Sequence, residues 1–414
     1  MNAIIITIGD EILVGQTIDS NSAHIAKKLN ELGIQIKEII SIADEANHIT
    51  RTVDRVINDC EILILTGGLG PTNDDITKKV LTNYFNDELI IYPKILARIQ
   101  DFFNRFNKPF LEVNRLQAML PKSATIIEND LGTASGMWFK KDKCNILSLP
   151  GVPYEMKGLL TKFLAAIKEI YPIGNFYHRT LQISGIGESY LAELIKDWEA
   201  KNLALGISVS YLPSIGSLKL RLTGKLDQKT IIDQHLEELH TNYSKYIVGE
   251  EGETLEIIVG RLLVDKSMTL GTVESCTGGS IAKKVVSMPG SSAFYLGSII
   301  SYTNDLKAKL VGVKQSTLDA NGAVSKQVVE EMAQQGKVKL DVDYCISVSG
   351  IAGPTGGSEE KPVGTVWVGI AGPQGTVSKQ FNFGLTRNKN IQSSVMASLN
   401  FLRLILTNQF EKEA

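Results

Sequence analysis

The chain has 414 residues, of which 43% are hydrophobic and 21% charged, with a formal net charge of −2. This balance belongs to a globular protein of about three domains and argues against general binding to nucleic acid or anionic membranes. Its four cysteines are dispersed without a CxxC pair and its five histidines are scattered, which leaves no zinc signature and fits a reducing cytoplasm. No apolar run approaches the length of a membrane span.

Ala3 to Ile8 reads as a strand ending at Gly9-Asp-Glu11, and the absence of a basic n-region sets it apart from a signal peptide. Asp19-Ser-Asn-Ser22 is helix-cap chemistry, followed by an apolar stripe of Ile25, Leu29 and Leu32 and a stop at Gly33. Ile34, Ile36, Ile40 and Ile42 alternate as a second strand, and Ile49, Val53, Val56 and Ile57 give a second helix. Ile62 to Leu65 form a buried strand that runs into Thr66-Gly-Gly-Leu-Gly-Pro-Thr-Asn-Asp-Asp75, and Ile76, Val80, Leu81 and Tyr84 continue at helical spacing. Repeated β-α-β units predict a doubly wound α/β sheet, with ligands at the carboxyl ends of its strands.

Gly67, Gly68 and Gly70, with Thr72 beside them, let backbone N–H groups approach an anionic ligand. Asp10 and Glu11 end one strand, and Asp74 and Asp75 follow another. Acids beside a phosphate site need a partner. The simplest is a divalent cation (Mg, Mn or Co) that bridges these four carboxylates and the phosphate. In the competing reading, Asp74 caps the helix and Asp75 offsets its dipole. A third cluster joins Asn129-Asp-Leu-Gly-Thr133 to Leu149-Pro-Gly-Val-Pro-Tyr-Glu-Met156, where Gly151 permits close backbone approach. Glu155 there is either a dipole partner or a ligand group.

Gly9-Asp-Glu-Ile-Leu13, Asp19-Ser-Asn21, Thr66 to Thr72 with Asp74-Asp75, and Leu149-Pro-Gly-Val-Pro153 with Glu155-Met156 together resemble the CinA family, competence/damage-inducible protein A. The resemblance implies a molybdopterin-binding-like domain over residues 1–170. It also implies metal-dependent hydrolysis of the pyrophosphate of ADP-ribose to AMP and ribose 5-phosphate. The family often has Gly-Thr-Ala-Pro-Gly where this chain has Gly132-Thr-Ala-Ser-Gly136, a change that loosens a turn and removes no catalytic group.

Residues 171–250 begin at Pro172, Gly174 and Asn175 and predict a small α+β domain. Its parts are a strand over 177–183, the turn Gly185-Ile-Gly-Glu-Ser189, and one helix striped by Leu191, Leu194, Ile195 and Trp198. Strands over 206–212 and 218–223 and a helix over about 228–240 complete it. The resemblance implies a KH-like module. Such a module clamps nucleic acid with a GxxG loop and basic neighbours, but here Gly187 is followed by Glu188. RNA binding is therefore disfavoured. Packing or homodimerisation is preferred; an intermediate reading has Glu188 and Ser189 line the first active site across a dimer. A linker helix over 251–266 follows.

Residues 267–414 repeat the strand, small-residue turn and helix. Met268 to Val273 lead into Glu274-Ser-Cys-Thr-Gly-Gly279. Ser275, Cys276 and Thr277 are candidate nucleophiles, and the N–H groups around Gly278 and Gly279 are expected to face a developing oxyanion. Cys276 is intrinsically the better nucleophile, but no histidine lies in the neighbouring motifs. Ser275 would need a base, and Lys307, on a helix opened by Thr303-Asn-Asp305, is the candidate, although spacing alone favours a solvated helix lysine. As a base, Lys307 must lose its charge near pH 7, far below ~10.4. Ser349-Gly-Ile-Ala-Gly-Pro-Thr-Gly-Gly357 reads as a second anion-binding loop, and Arg387, at the head of the last helix, suits bidentate phosphate binding or a plain surface position.

These motifs, with Pro289-Gly-Ser-Ser292, Ser301-Tyr-Thr-Asn304 and Gly322-Ala-Val-Ser325, resemble the C-terminal CinA domain, which also exists alone as nicotinamide-nucleotide amidohydrolase. The resemblance implies deamidation of nicotinamide mononucleotide to nicotinic acid mononucleotide and ammonia without a cofactor. It makes Ser275 the nucleophile, activated by Tyr302 and Lys307, with Thr277, Gly278 and Gly279 at the substrate. Gly353, Thr355, Gly356, Gly357 and Arg387 would hold the 5′-phosphate. Ile391-Gln392 stands where many relatives have Ile-Arg. Two alternatives are a non-catalytic competence or DNA-uptake accessory protein and a pterin-binding domain of molybdenum-cofactor type.

Overall fold

The computed structural model describes residues 1–72, 75–171, 176–250 and 252–410. The chain divides into two compact units, one ending at Phe176 and the other beginning at Tyr177. Each is built from α/β layers. Among the described residues, no helix is long and apolar enough to cross a membrane.

The first unit holds a six-stranded sheet built from β1 (Asn2–Ile8), β2 (Gln35–Ile42), β3 (Ile62–Thr66), β4 (Thr125–Ile127), β5 (Gly136–Lys141) and β6 (Cys144–Leu149). Their order is β2-β1-β3-β6-β5-β4. The first four are parallel and the last two join antiparallel. Alternate side chains of each strand enter opposite cores. Ile4, Ile6, Leu63 and Leu65 face one core with Ile49, Val53 and Val80. Ala3, Ile5, Ile62 and Ile64 face the other with Ile25, Leu29 and Phe163. Helices α1 (Ser20–Glu31), α2 (Ala46–Val56), α3 (Thr77–Tyr84), α4 (Pro93–Arg105) and α5 (Pro153–Ile170) supply those partners. Asp19 caps α1 as expected, accepting from the Ser22 N–H at 2.9 Å. Because β1 lies between β2 and β3, the crossovers diverge beside it and open a crevice at the strands' carboxyl ends.

The second unit begins with a four-stranded sheet of β7 (Phe176–Ile183), β8 (Ser208–Ser214), β9 (Ser217–Lys225) and β10 (Ile247–Glu250), in the order β8-β9-β7-β10. The single helix expected after Gly187 is two, α6 (Glu188–Leu194) and α7 (Lys196–Ala204), which meet at Ile195. Leu191, Ile195 and Trp198 are buried while Leu194 points outward, so the break keeps the apolar side chains on the core. Helix α8 (Lys229–Tyr243) covers the sheet. The expected linker is the helix α9 (Leu255–Asp265), and its Leu255, Ile258, Val259 and Leu263 are core residues shared with the last helix.

The third sheet comprises β11 (Leu270–Glu274), β12 (Tyr295–Ile300), β13 (Tyr344–Gly350), β14 (Thr365–Gly372) and β15 (Gly375–Asn382), ordered β12-β11-β13-β14-β15. Strands β12, β11 and β13 are parallel, and β14 and β15 form an antiparallel pair. Helices α10 (Ser280–Val286), α11 (Lys326–Leu340) and α12 (Arg387–Leu406) pack on it. As in the first sheet, the first strand is flanked on both sides by later ones, and its carboxyl end is the crevice.

Candidate active sites

In the second unit, β11 ends at Glu274 and delivers Ser275 to the crevice, where the Ser275 N–H donates to Val348 O at 3.0 Å. Lys307 follows a short helical turn capped by the Thr303 hydroxyl. It opens a wide π-helical turn, Lys307–Val311, closed by Gly312 at φ +95°. Such turns re-aim a side chain and recur at functional sites. Here the turn sends Lys307 inward to 1% exposure, which rules out the solvated-lysine reading.

Lys307 Nζ lies 2.9 Å from Ser275 Oγ, 3.0 Å from Ser301 O and 3.3 Å from Tyr302 O. Its partners are a hydroxyl and two carbonyls, with no carboxylate among them, so burial lowers its pKa to about 8. The carbonyls hold two of its N–H bonds. Once the ammonium is deprotonated, the remaining position, a lone pair, points at the serine. Cys276 is also buried, and desolvation pushes its thiol up to about 12. It therefore stays protonated and is a poor nucleophile.

Tyr302 is placed differently from Lys307. Its hydroxyl accepts from Arg387 at 3.1 Å, and only its backbone carbonyl meets Lys307. The glycine N–H groups are also committed: Gly278 donates to Ser275 O and Gly279 to the Glu274 carboxylate, at 3.1 and 2.9 Å. The N–H groups of Cys276 and Thr277 donate to no backbone carbonyl among the described residues. Thr277 is buried and its hydroxyl has no partner among the described residues, which suits the substrate contact expected of it.

Glu274 is the residue the sequence reading passed over. Its fully buried carboxylate accepts from the N–H groups of Gly279, Ile281 and Ala282 at 2.8–3.1 Å. It thus fills the amino end of α10, where an anionic ligand would otherwise be favoured. The available signal was an acid at the end of an apolar strand, just before a helix.

Arg387 heads α12 and donates to Gly353 O at 2.7 Å, tying itself to the expected phosphate loop. Asn390, one turn on and fully buried, donates to Ala352 O and Leu385 O. Thr355, Gly356 and Gly357 lie on the exposed part of that loop, and Gly353 and Gly356 have φ of +85° and +91°.

In the first unit, a cleft of about 300 Å³ opens between the ends of β1, β3 and β6. Gly67, Gly68, Gly70 and Gly151 line it, together with Glu11 and Asp75. Gly67 has to be glycine: at φ +121° a Cβ would sit 2.0 Å from Ile8 O. Asn21 binds the loops together, donating to Thr66 Oγ1 at 3.1 Å and Gly151 O at 2.8 Å.

Several groups expected to meet ligand are already used. The Gly67 N–H donates to Leu149 O. The Gly70 and Thr72 N–H groups and the Thr72 hydroxyl all donate to Asp75. Asp75 therefore closes the loop, and the N–H groups of Gly68 and Leu69 are the ones with no backbone acceptor among the described residues. Asp10 turns to the Asp44 N–H, at 3.4 Å, instead of lining the cleft. Asp74 lies outside the described residues.

Among the described residues no three His, Cys, Asp or Glu side chains are grouped to hold a metal ion, and Asp74, one of the four expected acids, lies outside them. Glu11, Asp44, Asp75 and Glu155 instead border the cleft. As hard oxygen donors, they fit a cation held by one or two carboxylates and completed by phosphate oxygens. Glu155 is 8% exposed and accepts from Asn129 Nδ2 at 2.5 Å, and burial raises its pKa. The Gly132 Cα leaves room for it, since a Cβ there would lie 2.2 Å from its carboxylate.

Family models match in chain order. The "Probable molybdopterin binding domain" covers residues 4–169, the "Damage-inducible protein CinA KH domain" residues 178–248, and the "CinA C-terminal domain" residues 252–406. A CinA-like protein of Flavobacterium psychrophilum is 42% identical over 422 residues, covering 100% of both chains. This chain belongs to the CinA family. A CinA-like protein of Cytophaga hutchinsonii is 41% identical over 404 residues, covering 96% of each chain. A solved CinA structure from Thermoplasma acidophilum, 33% identical, covers 40% of this chain and 97% of its own, with a TM-score of 0.37. The α/β architecture is therefore that of the CinA family: a molybdopterin-binding-like domain, a KH domain and a CinA C-terminal domain.

Proposed function

We propose that this CinA-family protein is a bifunctional pyridine-nucleotide hydrolase, whose C-terminal domain deamidates nicotinamide mononucleotide and whose N-terminal domain hydrolyses ADP-ribose. The observation that carries the first activity is the buried Lys307 amine 2.9 Å from the Ser275 hydroxyl. A lysine that sheds its proton near pH 8 is a base for the serine beside it and makes that serine an activated nucleophile.

In this reading Ser275 Oγ attacks the carboxamide carbon while Lys307 takes its proton. The Cys276 and Thr277 N–H groups receive the oxyanion. Lys307 returns the proton to the departing ammonia, leaving an acyl-serine. Water, deprotonated by the same amine, then releases the carboxylate. Arg387 and the loop from Gly353 to Gly357 hold the 5′-phosphate. The direct test is ammonia release from nicotinamide mononucleotide by the purified protein and by Ser275→Ala.

In the N-terminal domain the support is the cleft itself, with Gly68 and Leu69 N–H groups that meet no backbone carbonyl among the described residues and acids at its edge. A divalent cation bound with the substrate would neutralise charge on the pyrophosphate. The chain's own part is to seat the phosphates on the glycine turn. Assay of ADP-ribose cleavage with and without chelator tests this second activity. The dispersed cysteines and the middle domain are the support for a cytoplasmic homodimer.

A further inference from the structure

The N-terminal cleft has a feature that the phosphate loop does not explain. Gln117 lines it and is only 5% exposed, yet neither its Nε2 nor its Oε1 has a hydrogen-bond partner among the described residues. A buried amide orphaned at both ends loses its water contacts with nothing in return, and native proteins keep few such groups.

The residue is also held in place. It sits on a short turn, Leu116–Ala118. Leu116 O accepts from Lys78 Nζ at 2.8 Å, and Ala118 O accepts from the Tyr92 N–H at 3.0 Å. A fixed backbone presents the carboxamide to the cleft without the entropy of ordering a loop.

A carboxamide offers a donor and an acceptor side by side. A phosphate only accepts and would leave Oε1 unmatched. The edge of adenine presents an N–H donor next to a ring-nitrogen acceptor, and glutamine meets it with two parallel hydrogen bonds. We propose that Gln117 is a specificity-determining residue that reads the adenine edge of a nucleotide whose phosphates lie on the Gly68 turn. This rests on the ADP-ribose reading of the same cleft.

The test is calorimetric binding of AMP and of ribose 5-phosphate to the full-length protein and to Gln117→Met and Gln117→Glu. Methionine keeps the unbranched shape and removes both polar ends; glutamate keeps acceptors and removes the donor. Both variants should bind AMP roughly ten- to a hundredfold more weakly and ribose 5-phosphate as the wild type does. Gln117→Met should also keep or raise the ligand-free Tm, because it replaces an orphaned polar group with an apolar one. Equal losses for AMP and ribose 5-phosphate would overturn base reading in favour of a sugar or phosphate contact. Unchanged AMP binding in both variants would overturn the proposal while leaving the ADP-ribose reading intact. Failure of the wild type to bind AMP or ADP-ribose would remove both.

Discussion

Lys307 Nζ is 2.9 Å from Ser275 Oγ, and the two carbonyls that complete its shell, Ser301 O and Tyr302 O, leave that amine no negative charge to pair with. The pair acts as one unit, so its substitutions should not add. Ser275→Ala and Lys307→Met should each lower kcat for nicotinamide mononucleotide by several orders of magnitude, and the double variant should be little worse than either. Cys276→Ala should keep most activity. An additive double variant in steady-state kinetics would mean that the two residues act in separate steps.

The lowered pKa of Lys307, about 8, fixes the sign of two pH effects. Because the base must be neutral, kcat/KM should rise with pH and level off above about 8. Between that value and the ordinary 10.5 the unfolded chain binds more protons at this lysine than the folded one. Its contribution therefore makes stability rise with pH across that window. At pH 7 the folded protein carries a buried, carboxylate-free cation, so Lys307→Met should raise Tm. A pH–rate profile with no rise toward 8 would remove Lys307 as the base.

Tyr302 and Arg387 form a separate contact at the mouth of the site, 3.1 Å from hydroxyl to guanidinium. Tyr302→Phe should change kcat only severalfold, since the hydroxyl touches neither Ser275 nor Lys307 in the structure. Arg387→Ala should raise KM for the mononucleotide roughly ten- to a hundredfold, the scale of a charge-assisted contact. It should leave the riboside, which lacks phosphate, nearly unaffected. Equal effects on both substrates would place Arg387 away from the phosphate.

Glu274 accepts three backbone N–H groups at the start of α10. Glu274→Gln should lower Tm, because the amide loses one acceptor and turns its NH2 toward backbone donors. Hydrogen bonds to a buried charge contribute about 1.5–3 kcal/mol each. Thermal melts of the ligand-free protein measure this directly.

Removal of divalent metal should stop ADP-ribose cleavage while ammonia release from nicotinamide mononucleotide continues, because a serine–lysine mechanism uses no metal. Asp75→Ala should also impair the pyrophosphatase, by freeing the Gly70 and Thr72 N–H groups that Asp75 now holds. Parallel assays on one preparation decide both points.

Much of this was legible in the chain. Apolar runs ending in glycine-rich turns located both crevices, and the helical stripes located the covering layers. The pairing of Ser275 with Lys307 was legible as a candidate and favoured only through a family likeness, because a lysine 32 residues away on a helix reads more readily as solvated. What turns it inward is a π-helical turn, which leaves no periodic trace. Hydrogen-bond partners were the least legible feature. Nothing in Thr66 to Asp75 shows that Asp75 folds back onto its own loop, or in Glu274 to Gly279 that the acid takes the glycine N–H. Competition between a loop's own carboxylate and an external anion is decided by atomic positions. For the same reason Gln117, a polar residue among many, carries no signal until its burial is seen.

The most direct test of the account is mass spectrometry of the protein quenched during turnover of nicotinamide mononucleotide, alongside ammonia release. The account predicts an acyl adduct on the peptide bearing Ser275, absent in Ser275→Ala, which should release no ammonia above background. An adduct on Cys276, or full ammonia release by Ser275→Ala, would contradict it.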